Sequence, residues 1–216
     1  MKKLVLASGN PGKLREFSAL FAAHAVELIG QKDLGIDPPE EPFASFLENA
    51  LHKARHASTM SGLPAMADDS GICLSTLGDQ PGVYSARWAL MHKGVEGDHA
   101  NNRMVNQHLA GRSSEATYVC CLVFVRRNND PIPLVAQALW RGLWLSEARG
   151  EGGFGYDPHF LPLGSRQSAA QMDSLEKNRV SHRGRATRLL LAALGEAGLL
   201  SPVDPTFYDA ARSPST

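Results

Sequence analysis

Lys3-Leu4-Val5-Leu6-Ala7-Ser8-Gly9-Asn10-Pro11-Gly12-Lys13 is the stretch whose reading decides the fold class. Residues 3–8 read as a short buried strand, which runs straight into a Gly9–Gly12 turn. Asn10 suits a helix cap, and Pro11 suits the first helical turn, where its missing N–H would have no partner anyway. A helix is expected over 11–23, with Leu14, Phe17, Leu20 and Phe21 on one face. A second strand is expected over 26–29. Strand, helix and strand in that order open an α/β fold.

The rest of the chain continues the alternation. Asp37-Pro38-Pro39-Glu40-Glu41-Pro42 is an extended acidic loop, because three prolines forbid a regular helix. Phe46, Leu47, Ala50, Leu51 and Ala54 recur at helical spacing, so an amphipathic helix is expected over 43–60, with Gly62 just past its end. Residues 63–67 and 72–75 read as two short strands flanking an Asp68-Asp69-Ser70-Gly71 turn. A third helix is expected over 98–110, capped by Asp98 and ended by Gly111. Residues 116–126 and 133–145 read as an antiparallel hairpin turned at Asn128-Asn129-Asp130-Pro131. A glycine-rich loop, Gly152-Gly153-Phe154-Gly155-Tyr156-Asp157-Pro158, follows. The last helix is expected over 181–194, with Ala186, Leu189, Leu190, Ala193 and Leu194 inward. Residues 1–200 form one mixed α/β domain in this reading, and 201–216 a polar, frayed tail.

Composition narrows the function classes. The chain has 216 residues, 43% hydrophobic and 20% charged, with a formal net charge of zero. A domain of this size buries roughly 70% of its unfolded surface and needs no disulfide or metal to fold. Zero net charge argues against coating nucleic acid or an anionic membrane, while leaving room for a local basic pocket. Cys73, Cys120 and Cys121 have no disulfide or metal-ligand spacing and read as reduced thiols of a cytoplasmic protein. The apolar run at the N-terminus is too short for a signal peptide, and no stretch reaches the length of a membrane span. His52 and His56, four apart, lack a nearby glutamate at the right spacing and read as surface or partly packed side chains.

Several segments carry chemistry. The turn at Ser8, Gly9 and Asn10 offers backbone N–H groups and a positive helix end beside Lys13, a natural phosphate cradle. It is not a Walker loop, because the glycine spacing and the hydroxyl after the lysine are missing. Asp68 and Asp69, after an apolar strand, suit Mg²⁺ at the mouth of a sheet. Glu40 and Glu41 could add oxygen ligands. In the glycine-rich loop Phe154 and Tyr156 offer stacking surface, and Asp157 can accept an N–H from a base. Ser181 is a good N-cap, which puts His182 and Arg183 in the first helical turn. Basic groups there oppose the helix dipole, so an anionic or carbonyl-rich ligand explains them better than helix stability does.

Taken in order, Ser8-Gly9-Asn10-x-x-Lys13, Ala67-Asp68-Asp69-Ser70-Gly71, Pro81-Gly82-Val83-Tyr84-Ser85-Ala86-Arg87, Gly153-Phe154-Gly155-Tyr156-Asp157-Pro158 and Ser181-His182-Arg183 closely resemble the inosine triphosphate pyrophosphatase family. Its bacterial members are non-standard purine NTP, or dITP/XTP, pyrophosphatases. The resemblance spans residues 3–194, and one departure is Leu90, where relatives usually have glycine. It implies an elongated α/β fold: a mixed central sheet flanked by helices, with two lobes around a deep nucleotide-binding cleft, and a homodimer. It further implies Mg²⁺-dependent hydrolysis between the α- and β-phosphates of dITP, ITP or XTP. Carried over by the resemblance, Ser8, Gly9, Asn10 and Lys13 hold the triphosphate. Ser70, Phe154, Gly155, Tyr156, Asp157, Lys177, His182 and Arg183 surround the nucleotide. Asp69 is the general base, and the metal ligands match Asp68, Asp69 and Glu40. Two other readings stand beside this one: a nucleotide-binding sensor without turnover, and a pyrophosphatase for modified pyrimidine nucleotides.

Overall fold

The computed structural model describes residues 1–21, 24 and 26–200, and of Leu20 the backbone alone. The expected end of the first helix at 22–23 and the expected tail at 201–216 therefore lie outside the described residues. One mixed sheet runs in the order β2-β1-β3-β5-β6-β7, with β4 (Gln80–Pro81) paired to β3. β1 (Lys3–Leu6) pairs in parallel with both β2 (Glu27–Gly30) and β3 (Ala65–Leu74). From β3 outward the pairing is antiparallel, through β5 (Glu115–Val125), β6 (Leu134–Trp144) and β7 (Phe160–Pro162). Parallel neighbours need crossovers, and helices supply them: α1 (Pro11–Phe21) between β1 and β2, and α2 (Phe46–Ser61) between β2 and β3.

Local chemistry sets the helix ends. Ser45 accepts the Glu48 N–H and donates its hydroxyl to the Glu48 carboxylate, so α2 starts there and not at Phe43. Gly62, at φ 68°, closes it in the left-handed conformation. The alanines 50, 54 and 57 let α2 lie close on the sheet face made by Val5, Ala65, Ala67, Cys121 and Val123. The opposite face, with Leu4, Leu6, Met66, Leu122 and Phe124, is covered by α1 and by α6 (His182–Glu196). Ala186, Leu190 and Leu194 form the inward stripe of α6. Leu189, expected inward, is exposed, as is Leu47 on α2, because each sits about a quarter turn off its helix's buried stripe.

A third core gathers at the far end of β3 and β5. There Ile72, Leu74, Trp140 and Phe160 meet α3 (Trp88–Lys93) and α4 (Asp98–Leu109). Gly97, not Asp98, is the cap of α4; the Asp98 carboxylate instead accepts the Gly155 N–H at 2.6 Å. The helix ends at Leu109, and Ala110, one residue before the expected Gly111, takes the left-handed turn at φ 49°. α3, which contains Leu90, and α5 (Ser174–Val180) are too short to show a hydrophobic period.

The main correction concerns β3. Residues 68–71 are not a turn between two strands; they are the middle of one continuous strand. Asp68 pairs with Leu122, Asp69 with Cys121, Ser70 with Cys120 and Gly71 with Val119. The long β5 ladder overrides the turn preference of an Asp-Asp-Ser-Gly sequence. Gly71 is required by close approach: a Cβ there would overlap the Gly82 carbonyl and the Ser85 hydroxyl. All three cysteines are free, with Cys120 and Cys121 buried on opposite faces of β5. Among the described residues no helix is long and apolar enough to cross a membrane.

Candidate active site

Residues 65–67 of β3 belong to the helix-covered cores and Ile72 and Leu74 to the far core, so Asp68–Gly71 cross the gap between them. Consecutive strand residues point to opposite faces. Asp68 accordingly turns toward α1 and α6, and Asp69 toward α2. A cavity of about 350 Å³ opens at this gap, at the lower end of the size range of small-ligand sites. Every residue expected to hold substrate lines it. Of the three expected metal ligands, Asp68 lines it while Asp69 and Glu40 do not.

On the Asp68 side, the carboxylate binds Lys13 Nζ at 2.8 Å and lies 3.6 Å from Arg183 Nε, and it accepts the Ser70 hydroxyl at 3.1 Å. Burial disfavours its charge, but Lys13 and Arg183 outweigh burial and hold its pKa well below the usual aspartate value. Asp68 thus stays ionised and fixes two cations in the cavity wall. The adjacent turn is more self-satisfied than its sequence suggests. Asn10 Oδ1 accepts the N–H groups of Gly12 and Lys13, and the Ser8 hydroxyl accepts the Asn10 N–H. The donors this turn can offer an anion are therefore mainly side chains.

On the Asp69 side, Lys53 Nζ bridges Asp69 at 2.7 Å and Glu41 at 2.8 Å, and Arg87 also bonds Glu41. Asn49 Nδ2 donates to Asp69 at 3.4 Å. Burial drives the Asp69 pKa above its ordinary value; Lys53 opposes this, and the Glu41 charge adds to it. Burial opposes the charge of Glu41 too, yet Lys53 and Arg87 leave its pKa lowered. Glu41 and Lys53 line the cavity in front of Asp69, whereas Glu40 is exposed outside it. The acidic loop reaches the site through its second glutamate.

The far wall is built from the glycine-rich loop and the α5–α6 junction. Gly153, at φ 73°, leaves room for the Asp157 carboxylate, which would overlap any Cβ there and which accepts the Phe154 N–H at 2.9 Å. Asp157 also takes Lys177 Nζ at 2.7 Å and the Tyr118 hydroxyl at 3.2 Å. Ser181 caps α6 by accepting the Gly184 N–H, which presents His182 and Arg183 from the first turn. His182 stacks on Tyr118, with ring centroids 4.5 Å apart and planes 2° from parallel. Burial, then the Arg183 charge, push the His182 pKa well below its ordinary value, so the ring is neutral at neutral pH. Lys177 and Arg183 both lie over the Phe154 ring, and Glu16 bonds both cations. His182 Nδ1 and Arg183 Nε are buried without a hydrogen-bond partner among the described residues. Tyr156 is a tether more than a stacking surface, since its hydroxyl donates to the Ser85 carbonyl at 2.7 Å.

Lys53, Glu16 and Tyr118 were not singled out from sequence. The signal for Lys53 was present: Asn49 and Lys53 are four apart beside the alanine stripe of α2, where a solvated lysine has no place. Glu16 carries no such mark, because a glutamate in the middle of a helix reads as an ordinary solvated side chain.

Buried, charge-paired cations at one end and an aromatic, donor-rich wall at the other define an α/β protein built to bind a phosphorylated ligand with a planar group. The Ham1 family pattern matches residues 4–193. The chain is 52% identical over 195 residues to a dITP/XTP pyrophosphatase of Ralstonia nicotianae, covering 90% of this chain and 97% of the relative. It is 53% identical over 193 residues to a dITP/XTP pyrophosphatase of Chromobacterium violaceum, covering 89% and 96%. Among solved structures, a HAM1 protein from Coxiella burnetii superposes with a TM-score of 0.82 at 38% identity, covering 91% of this chain and all of that one. This chain belongs to the Ham1 family.

Proposed function

We propose that this protein hydrolyses non-standard purine nucleoside triphosphates, dITP, ITP and XTP, to the monophosphate and pyrophosphate, with Mg²⁺ as its cofactor. The observation that carries the reading is the single cavity that joins the Lys13–Asp68 and Lys53–Glu41 pairs to the His182–Arg183 wall. The dITP/XTP pyrophosphatases it resembles over nearly their whole length point to the same substrates.

The donors on the Asp69 side fit a hard cation. Among the described residues no three His, Cys, Asp or Glu side chains gather into one metal cluster. Asp69 and Glu41 offer two carboxylates around Lys53, which suits Mg²⁺, an ion that keeps several waters and shares substrate phosphates. Those two residues would hold it, with Asp68 committed to Lys13 and Arg183. When bound, Mg²⁺ neutralises phosphate charge and stabilises the departing pyrophosphate.

The chain's own groups do the rest. Lys13 and the side chains of Ser8 and Asn10 receive phosphate oxygens at positions already set by Asp68 and the capped turn. Lys53, turning from Asp69 to a phosphate oxygen, would uncover the Asp69 carboxylate. Asp69, its basicity raised by burial, then aligns or deprotonates a water for in-line attack on the α-phosphorus. At the other end, hypoxanthine and xanthine present an acceptor at O6 and a donor at N1. Arg183, whose Nε has no hydrogen-bond partner among the described residues, and neutral His182 donate to O6, and Asp157 or a backbone carbonyl accepts N1–H. Adenine has the reverse pattern and would leave these buried groups unsatisfied.

As the family resemblance implies, the protein acts in the cytoplasm as a homodimer of one-domain subunits; light scattering of the purified protein tests the dimer. The deciding experiment is pyrophosphate release from dITP, XTP, GTP, ATP and modified pyrimidine triphosphates, with and without Mg²⁺. Release from dITP and XTP, orders of magnitude above ATP and dependent on Mg²⁺, is expected. Tight nucleotide binding without release would establish a sensor instead.

A further inference from the structure

Gln31 follows β2 directly, is 1% exposed, and lines the same cavity as Lys13 and Lys53. Its Oε1 is buried with no hydrogen-bond partner among the described residues. A buried carboxamide left unsatisfied is costly, and one aimed into a ligand cavity finds its partner in the ligand. The group is a donor at one end and an acceptor at the other, and half a turn about its last torsion exchanges them. Its main chain is already committed, since the Gln31 carbonyl accepts the Ile36 N–H, so the side chain alone is free to respond to a ligand.

The sheet order says which part of the ligand this is. Ser8 lies just past β1, Asp68 and Asp69 lie in β3, and Tyr118, beneath His182, lies in β5. In the order β2-β1-β3-β5, a nucleotide with its base on His182 and its α-phosphorus beside β3 extends its remaining phosphates toward β1 and then β2. Gln31 stands at that last position. Ligands of open α/β sheets sit outside the carboxyl ends of the parallel strands, which is where Ser8 and Gln31 are.

We propose that Gln31 binds the terminal phosphate of the substrate and so sets the preference for triphosphates over diphosphates. The proposal rests on the pyrophosphatase reading above and adds to it a residue that measures phosphate-chain length. Turned over so that Nε2–H stands where Oε1 has no partner, the Gln31 carboxamide donates to a γ-phosphate oxygen; a diphosphate does not reach it and leaves that position unpaired.

The test compares dITP with dIDP in the unaltered protein, Gln31→Leu and Gln31→Glu. Gln31→Leu keeps the volume and removes the polar end; Gln31→Glu places a negative charge against phosphate. For Gln31→Leu the KM for dITP should rise by roughly tenfold, the loss of one hydrogen bond to a charged group. Its kcat, its kinetics with dIDP and its affinity for dIMP should stay unchanged, and Gln31→Glu should bind dITP more weakly still. An unchanged dITP-to-dIDP ratio in both variants overturns the proposal. So does an equal loss for dITP, dIDP and dIMP, which would mark a packing role. Should Gln31→Leu not fold, Gln31→Met makes the same comparison. An unaltered protein that released no pyrophosphate from dITP would refute the pyrophosphatase reading itself, a result distinct from normal turnover with unaltered ratios.

Discussion

Asp68 and Asp69 are neighbours in sequence and do different work, because a strand turns consecutive side chains to opposite faces. Asp68, fully buried, locks Lys13 and Arg183 in place, and Asp69 faces Lys53 and Asn49. From the sequence the two read as a paired metal site, and they would be one if residues 68–71 formed a turn. The antiparallel ladder to β5 forbids that. Asp69→Asn should keep fold and dITP binding while kcat falls by at least about 100-fold, the scale of a lost general base. Steady-state kinetics beside a binding titration checks it, and near-normal turnover would remove Asp69 from the mechanism. Lys53→Met should act differently. It leaves Asp69 and Glu41 facing each other without their shared cation, so stability should fall by about 3 kcal/mol, as when one partner of a buried pair is removed. Urea denaturation measures this, and a loss below about 1 kcal/mol would mean solvent already screens the pair.

At the scale of elements, the legible parts were those with strong local signals. The Asn10 cap of α1, the Ser181 cap of α6, the alanine stripe of α2 and the hairpin of β5 and β6 all stand within a few residues of where the sequence puts them. The Asp68–Gly71 strand, the short helices α3 and α5 and the loss of Asp98 as a cap were not legible, because partners distant in sequence decide them. Asp98 gives up the cap for Gly155, 57 residues away. The start of α6 also carries a pH prediction. His182 has a folded pKa far below its unfolded value of about 6.5, so above that pH both states are neutral and the full stability is present. As pH falls below about 6.5 the unfolded state gains a proton that the folded state refuses, and stability declines by about 1.4 kcal/mol per pH unit down to the folded pKa. Denaturation curves between pH 5 and 7.5, values chosen to span the unfolded histidine range, should show this slope diminished in His182→Gln. An identical slope in both proteins would mean His182 is protonated in the fold.

For the molecule as a whole, the proposed function turns the order of strands across the sheet into an order of tasks along the ligand. β5 supports the His182 ring proposed to read the base, β3 carries the carboxylates, and β1 and β2 end at the groups proposed to hold phosphate. That arrangement is what the five motifs share, and no one of them shows it alone. Glu41, and not Glu40, is the loop glutamate at the cavity because Lys53 and Arg87 draw it inward, a contact across the fold that local reading of the acidic loop does not reveal. If the arrangement serves attack by water at the α-phosphorus, the attacked phosphorus can be read from the product. Hydrolysis of dITP in water enriched in oxygen-18, with mass analysis of both products, is the most direct measurement. The label should appear in dIMP and not in pyrophosphate; label in pyrophosphate would place the attack on the β-phosphorus and contradict the role given to Asp69 and its strand.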